Sequence, residues 1–201
     1  MQVETVKTTA LPNGLRVVTE HVPYVRSASI GIWVDVGGRH ERSNERGITH
    51  FIEHMMFKGT ERRTAKDIAS EIESVGGTLN AFTEKEYTCY YARALAEHVP
   101  IVLDVLSDMV FHSVFDSDEF AREQNVVIEE IKRYDDSPDD IVHDLFARAV
   151  WHSHPLGRPI VGTARSVAGL TVDGVRAFLE THYVPSRIVV AAAGNVSHRR
   201  I

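Results

Sequence analysis

The run His50-Phe51-Ile52-Glu53-His54 constrains this chain more than any other stretch. Wound as a helix, it places both imidazoles one turn apart on a single face, with Glu53 beside them. Phe51, Ile52, Met55, Met56 and Phe57 interleave these polar residues, so the same helix has an apolar side that must find a core. The fold therefore has to bury that helix on one side and leave a narrow polar edge open. Two neutral nitrogen ligands and a carboxylate on such an edge outline a hydrolytic zinc site. A closed structural site would use four protein ligands and several cysteines, and the chain has only Cys89. A third ligand must then come from elsewhere in the chain, on a helix packed against the first.

The helix expected over Ser117 to Tyr134 supplies candidates. Glu123 and Glu130 are two turns apart on one face, whereas Glu129 points away by about 100°. Periodicity does not choose between the pair, and any single helical glutamate can simply face solvent.

The remaining pattern reads as α+β. Val3 to Thr9 and Leu15 to His21 flank Leu11-Pro12-Asn13-Gly14, a strong hairpin signal. Ser27 to Val36 alternates apolar with small or polar residues and predicts a strand. Gly37-Gly38 closes it, and Gly47 opens the motif helix, which runs to about Phe57. Thr64 caps a helix over Ala65 to Val75 that Gly76-Gly77 stops. Thr78 to Thr83 and Tyr87 to Ala94 form a second hairpin around Glu84-Lys85-Glu86. Three helical patterns follow, near Glu97 to Ser113, Ser117 to Tyr134 and Pro138 to Trp151. His152 to Pro159, broken by two prolines and a glycine, reads as a loop with solvated histidines. Thr171 to His182 is another helix, and Arg187 to Ala193 a final strand. Hairpins mixed with helices predict a largely antiparallel sheet covered by helices, in one domain over residues 1–201.

Composition narrows the class. A hydrophobic fraction of 43% and a charged fraction of 25% suit a globular chain with a sizeable core and argue against disorder. A net charge of −6 gives no basic footprint for nucleic acid. Cys89 lies in an apolar, strand-like run and fits a buried small residue in a reducing compartment. The N-terminus lacks the basic region and apolar core of a secretory signal, and no run is long and apolar enough to span a bilayer. A soluble, cytoplasmic protein without membrane contact is the expectation.

After His50-x-x-Glu53-His54 come Phe57-Lys58-Gly59-Thr60, then Gly76-Gly77-Thr78-Leu79-Asn80-Ala81-Phe82-Thr83 and Glu86-Tyr87-Thr88, and later Glu123 and Glu130. Together these make the chain resemble the pitrilysin, or M16, metallopeptidases, inverted zincins that include insulin-degrading enzymes and mitochondrial processing peptidases. The likeness runs from Leu11 to Gly194 and is strongest to the bacterial processing-peptidase-like branch. The resemblance implies that His50, His54 and Glu130 bind one Zn2+ per chain. The family's third ligand follows its second histidine by about seventy-five residues, which selects Glu130. It further implies that Glu53 activates the attacking water and that Glu123 orients a histidine or holds the site. Asn80 and Ala81 would lie on an edge strand to which a peptide substrate adds by backbone pairing. A second homologous half, absent from this chain, or a partner chain in a dimer, would close around an unfolded peptide or targeting presequence. The competing expectation is a non-catalytic peptide-binding or assembly subunit, since some relatives keep the fold and lose the chemistry.

Overall fold

Period-two alternation builds the centre of the molecule. In β3 (Ser27–Val34) the residues Ala28, Ile30, Ile32 and Val34 are buried on one face, leaving Ser29, Gly31 and Trp33 on the other. The structure, a computed structural model, describes residues 6–201, so the first residues of the expected opening strand lie outside the described residues. Around β3 stand β1 (Val6–Ala10), β2 (Arg16–His21), β4 (Thr78–Thr83), β5 (Thr88–Leu95) and β6 (Ile188–Gly194), in the order β1-β2-β6-β3-β5-β4. The sheet is largely antiparallel, as expected, with one exception. β2 and β6 run parallel, Arg16 opposite Val189 through His21 opposite Gly194. Hairpin signals could not reveal this pair because most of the chain separates its partners.

The helices are α1 (Ile48–Met56), α2 (Ala65–Ser74), α3 (Val99–His112), α4 (Ser117–Asp135), α5 (Pro138–Trp151), α6 (Ala164–Ala168) and α7 (Val172–His182). Local capping explains several starts. Thr64 and Asp67 form a reciprocal capping box at α2, and Asp116 accepts from the amides of Asp118 at 2.9 Å and Glu119 at 3.1 Å at α4. Two readings shift. The stretch expected as one helix from Glu97 begins instead with a short 3-10 turn over Ala96–His98, and α6 was not expected at all. Five residues are too few to show a helical period, although the Thr163–Ser166 capping box marks the start of α6.

α1 buries Ile48, Phe51, Ile52, Met55 and Met56, each contributing about 1.5–3 kcal/mol of apolar burial, while His50, Glu53 and His54 stay half-buried along its edge. α4 packs beside it through Phe51 and Phe120, whose ring centroids are 4.7 Å apart. Phe120, Glu123, Val127 and Ile131 form the inward face of α4. These contacts bring the polar edge of α1 and one face of α4 together, beside the end of β4. Cys89 is buried on β5, with its thiol pushed up to about 12 by burial. His152 and His154 are exposed, as expected for their loop.

Candidate metal centre

One helical turn brings the two imidazoles of α1 face to edge, with Nε2 of His50 and Nε2 of His54 3.3 Å apart. Glu130 on α4 reaches between them, Oε1 at 3.6 Å from His50 Nε2 and Oε2 at 3.4 Å from His54 Nε2. One donor atom from each of the three residues lies within 4.8 Å of the others, the one such cluster among the described residues. Ligand atoms about 2.0–2.2 Å from a tetrahedral ion stand about 3.3–3.6 Å apart, and all three separations fall in that range, with each histidine facing its own oxygen of Glu130. Two imidazole nitrogens and a carboxylate oxygen are also the donor set zinc takes in open, catalytic sites. The residues present fit the metal.

The electrostatics divide the histidines. Burial, then the nearby His54, lowers the pKa of His50 to about 4, so its ring is neutral and able to ligate. His50 Nδ1 is buried with no hydrogen-bond partner. Burial also works against the charged form of His54, but its bond to Glu123 and the charges of Glu130, Glu123 and Glu53 prevail and raise its pKa. His54 Nδ1 donates to Glu123 Oε1 at 2.8 Å, and Lys58 Nζ holds Glu123 Oε2 at 2.6 Å. Burial alone would lift the Glu123 carboxyl, yet these two partners hold it below the usual range. Two turns of helix thus separate two acids with different surroundings: Glu123 behind the His54 imidazole, Glu130 in front. Glu129 sits on the exposed side, paired with Lys132 at 2.6 Å.

Glu53 stands outside the three-residue cluster. Its Oε2 accepts the Thr83 hydroxyl at 2.5 Å, and burial raises its pKa against that bond. Thr83 ends β4, the free edge of the sheet, so this contact ties α1 to the strand that carries Asn80 and Ala81. The Ala81 amide turns away from β5 and is taken by Asn80 Oδ1 at 2.8 Å, leaving an outward backbone donor capped only by a local side chain. Sequence reasoning gave no role to Lys58, although it follows His54 by one turn, or to Thr83, which only the tertiary packing brings to Glu53.

Comparison with known proteins adds the following. Residues 16–164 match the profile of a family described as Insulinase (Peptidase family M16). The chain is 52% identical to the "Uncharacterized zinc protease YmxG" of Bacillus subtilis over 92% of its own length and 45% of that protein. It is 42% identical to a probable mitochondrial-processing peptidase subunit beta of Arabidopsis thaliana, over 97% of its length and 37% of that protein. A solved protease from Helicobacter pylori superposes with a TM-score of 0.92 at 25% identity, covering 97% of this chain and 47% of that one. An M16 inactive domain from Pseudomonas fluorescens superposes with a TM-score of 0.88 over 96% of this chain and 47% of that one, but at 19% identity it shows the fold alone. The chain spans 37–47% of the length of the curated relatives and solved structures named.

Proposed function

The chain belongs to the insulinase family, peptidase family M16, and from this premise we propose that it is the metal-binding half of a zinc endopeptidase that hydrolyses peptide bonds in unfolded peptides or targeting presequences. The observation that carries this reading is the meeting of His50, His54 and Glu130 at one point, with Glu53 held alongside but apart. These three side chains would hold zinc, which when bound would lower the pKa of a water to about 7 and polarise the scissile carbonyl.

The chain's own residues do the rest. Glu123 accepts the Nδ1 proton of His54 and so fixes the tautomer that leaves Nε2 free to ligate. Burial keeps His50 neutral for the same purpose. The Thr83 hydroxyl occupies Glu53 Oε2 and leaves Oε1 to receive the proton of the attacking water and deliver it to the leaving amine. Asn80 and Ala81 offer a peptide the free edge of β4, where main-chain pairing would grip an extended chain with little regard to sequence. The Arabidopsis relative, named as a probable mitochondrial-processing peptidase subunit, supports a processing role.

A second homologous half or a partner chain would complete the enclosure. The half-length match supports it, as does the exposed apolar row Val142, Leu145, Phe146 and Val150 along α5. No helix among the described residues is long and apolar enough to cross a membrane. A reducing cytoplasm fits the lone thiol of Cys89, and recovery of the protein in the cell-envelope fraction would overturn that placement. The alternative is an inactive peptide-binding or assembly subunit, which the shared fold alone would allow. Retention of all four residues of the site favours catalysis.

The test is metal content together with Glu53→Gln. The protein should hold about one zinc per chain, and the variant should keep the zinc while peptide cleavage disappears. Loss of zinc on that substitution would make Glu53 a ligand and overturn the assignment of roles.

A further inference from the structure

The two histidines of α1 are anchored in different ways. His54 is held through its ring by Glu123, whereas the His50 ring has no hydrogen-bond partner at Nδ1. Its orientation therefore falls to the backbone of the first turn of α1, and that turn is clamped. Glu41, 4% exposed, directs its carboxylate at it: Oε2 accepts the Gly47 amide at 2.8 Å, and Oε1 accepts the Thr49 amide at 3.0 Å and the Thr49 hydroxyl at 2.6 Å. Both polar donors of the residue preceding His50 thus end on one buried acid.

The caps of α2, α4, α6 and α7 are the exposed side chains of Thr64, Asp116, Thr163 and Thr171. Only α1 among these is capped by a buried acid from outside its own turn. Burying a carboxylate is costly unless its partners are fixed. They are fixed here by the loop before α6. Arg158 Nη1 donates to the Glu41 carbonyl oxygen at 3.0 Å, and Lys85 donates to the Arg158 carbonyl oxygen. Gly47, at φ 86°, and Gly162, at φ 75°, lie against each other: a Cβ on Gly47 would sit 2.6 Å from the Val161 carbonyl oxygen, and one on Gly162 2.6 Å from that of Arg46.

We propose that Glu41 is a positioning residue of the metal centre: by pinning the first turn of α1 against the Arg158–Gly162 loop, it fixes His50 relative to Glu130 and so sets metal affinity. This rests on the reading of His50, His54 and Glu130 as ligands.

The experiment compares zinc affinity, by competition with a chromogenic chelator at pH 8, in the intact wild-type protein, Glu41→Gln and Val175→Ala. The last removes buried packing on α7, an element that supplies none of the clamp's residues. The amide of Gln would set a donor against the Gly47 N–H, so Glu41→Gln should bind zinc about ten- to a hundredfold more weakly. In the metal-free form its Gly47 and Thr49 amides should exchange hydrogen faster. Val175→Ala should lose stability yet keep wild-type zinc affinity. If Glu41→Gln does not fold, Arg158→Ala, which unties the loop and leaves the carboxylate, should still weaken zinc several-fold. Wild-type affinity in Glu41→Gln or Arg158→Ala, or an equal loss in Val175→Ala, overturns the proposal. A wild-type protein that takes up no zinc overturns the ligand reading and this one with it.

Discussion

Replacing Glu123 by Gln separates support of the metal centre from ligation. The Glu123 side chain is 5% exposed and bridges His54 Nδ1 at 2.8 Å and Lys58 Nζ at 2.6 Å. Gln keeps an acceptor for the His54 proton but removes the charge, so the imidazole becomes a poorer donor to a metal at Nε2. Substitution of such a supporting carboxylate typically costs about 10–100-fold in metal affinity, or about 1.4–2.8 kcal/mol. Lys58 loses its partner at the same time. Removing one member of a buried pair costs about 3–5 kcal/mol, but the Lys58 side chain is 30% exposed and can turn to water, so about 1–2 kcal/mol of fold stability is the expected loss. Glu130→Gln should behave in the opposite way. It replaces the proposed anionic ligand with a neutral amide and should cost more zinc affinity than Glu123→Gln, while a side chain 33% exposed leaves the metal-free fold nearly unchanged. Chelator competition reads the first quantity and urea unfolding of the metal-free proteins the second. Equal zinc losses in the two variants, or a greater loss in Glu123→Gln, would refute the division between the two acids.

Three further expectations follow from the same geometry. Burial raises the Glu41 pKa to about 7 from an ordinary 4.5, against its bonds to Thr49 and Gly47, so its proton stabilises the fold fully below about pH 4.5 and that contribution is lost as pH rises through about 7. Relative to Glu41→Gln, wild-type unfolding free energy should fall by about 2–3 kcal/mol between pH 5 and pH 8, and a constant difference would contradict this. Because the Ala81 amide makes no bond to β5, Ala81→Pro should leave zinc content and melting temperature nearly unchanged and raise KM for an extended peptide about tenfold; an unchanged KM would remove the edge strand from substrate binding. Sedimentation should find the 201-residue chain self-associating through its exposed apolar surface, and a monodisperse monomer at high concentration would argue against a covering partner.

The sequence carried most of the local structure because its signals are local. Asn13-Gly14 between apolar runs marks the first hairpin, alternation marks β3, and the Thr64 cap and Gly76-Gly77 stop bound α2 to within a residue. The helical period placed Glu123 and Glu130 on one face but could not say which meets the histidines, since both do, one from each side. Family resemblance separated them. Thr83 and Glu41 were silent for different reasons: Thr83 reaches Glu53 from thirty residues away through tertiary packing, whereas Glu41 stands only six and eight residues before Gly47 and Thr49 but outside any local capping pattern. The parallel β2–β6 pair was hidden as Thr83 was.

That pair has a consequence for how the protein is made. β6 lies between the opening hairpin and β3, so the sheet keeps a gap at its middle until residues 188–194 leave the ribosome. Every side chain proposed for the metal centre has been synthesised by residue 130, yet the platform beneath it closes only once β6 is made, more than fifty residues later. Such long-range closure is slow and leaves strand edges unpaired in the meantime. A nascent chain can thus carry His50, His54 and Glu130 well before the sheet that positions them is complete.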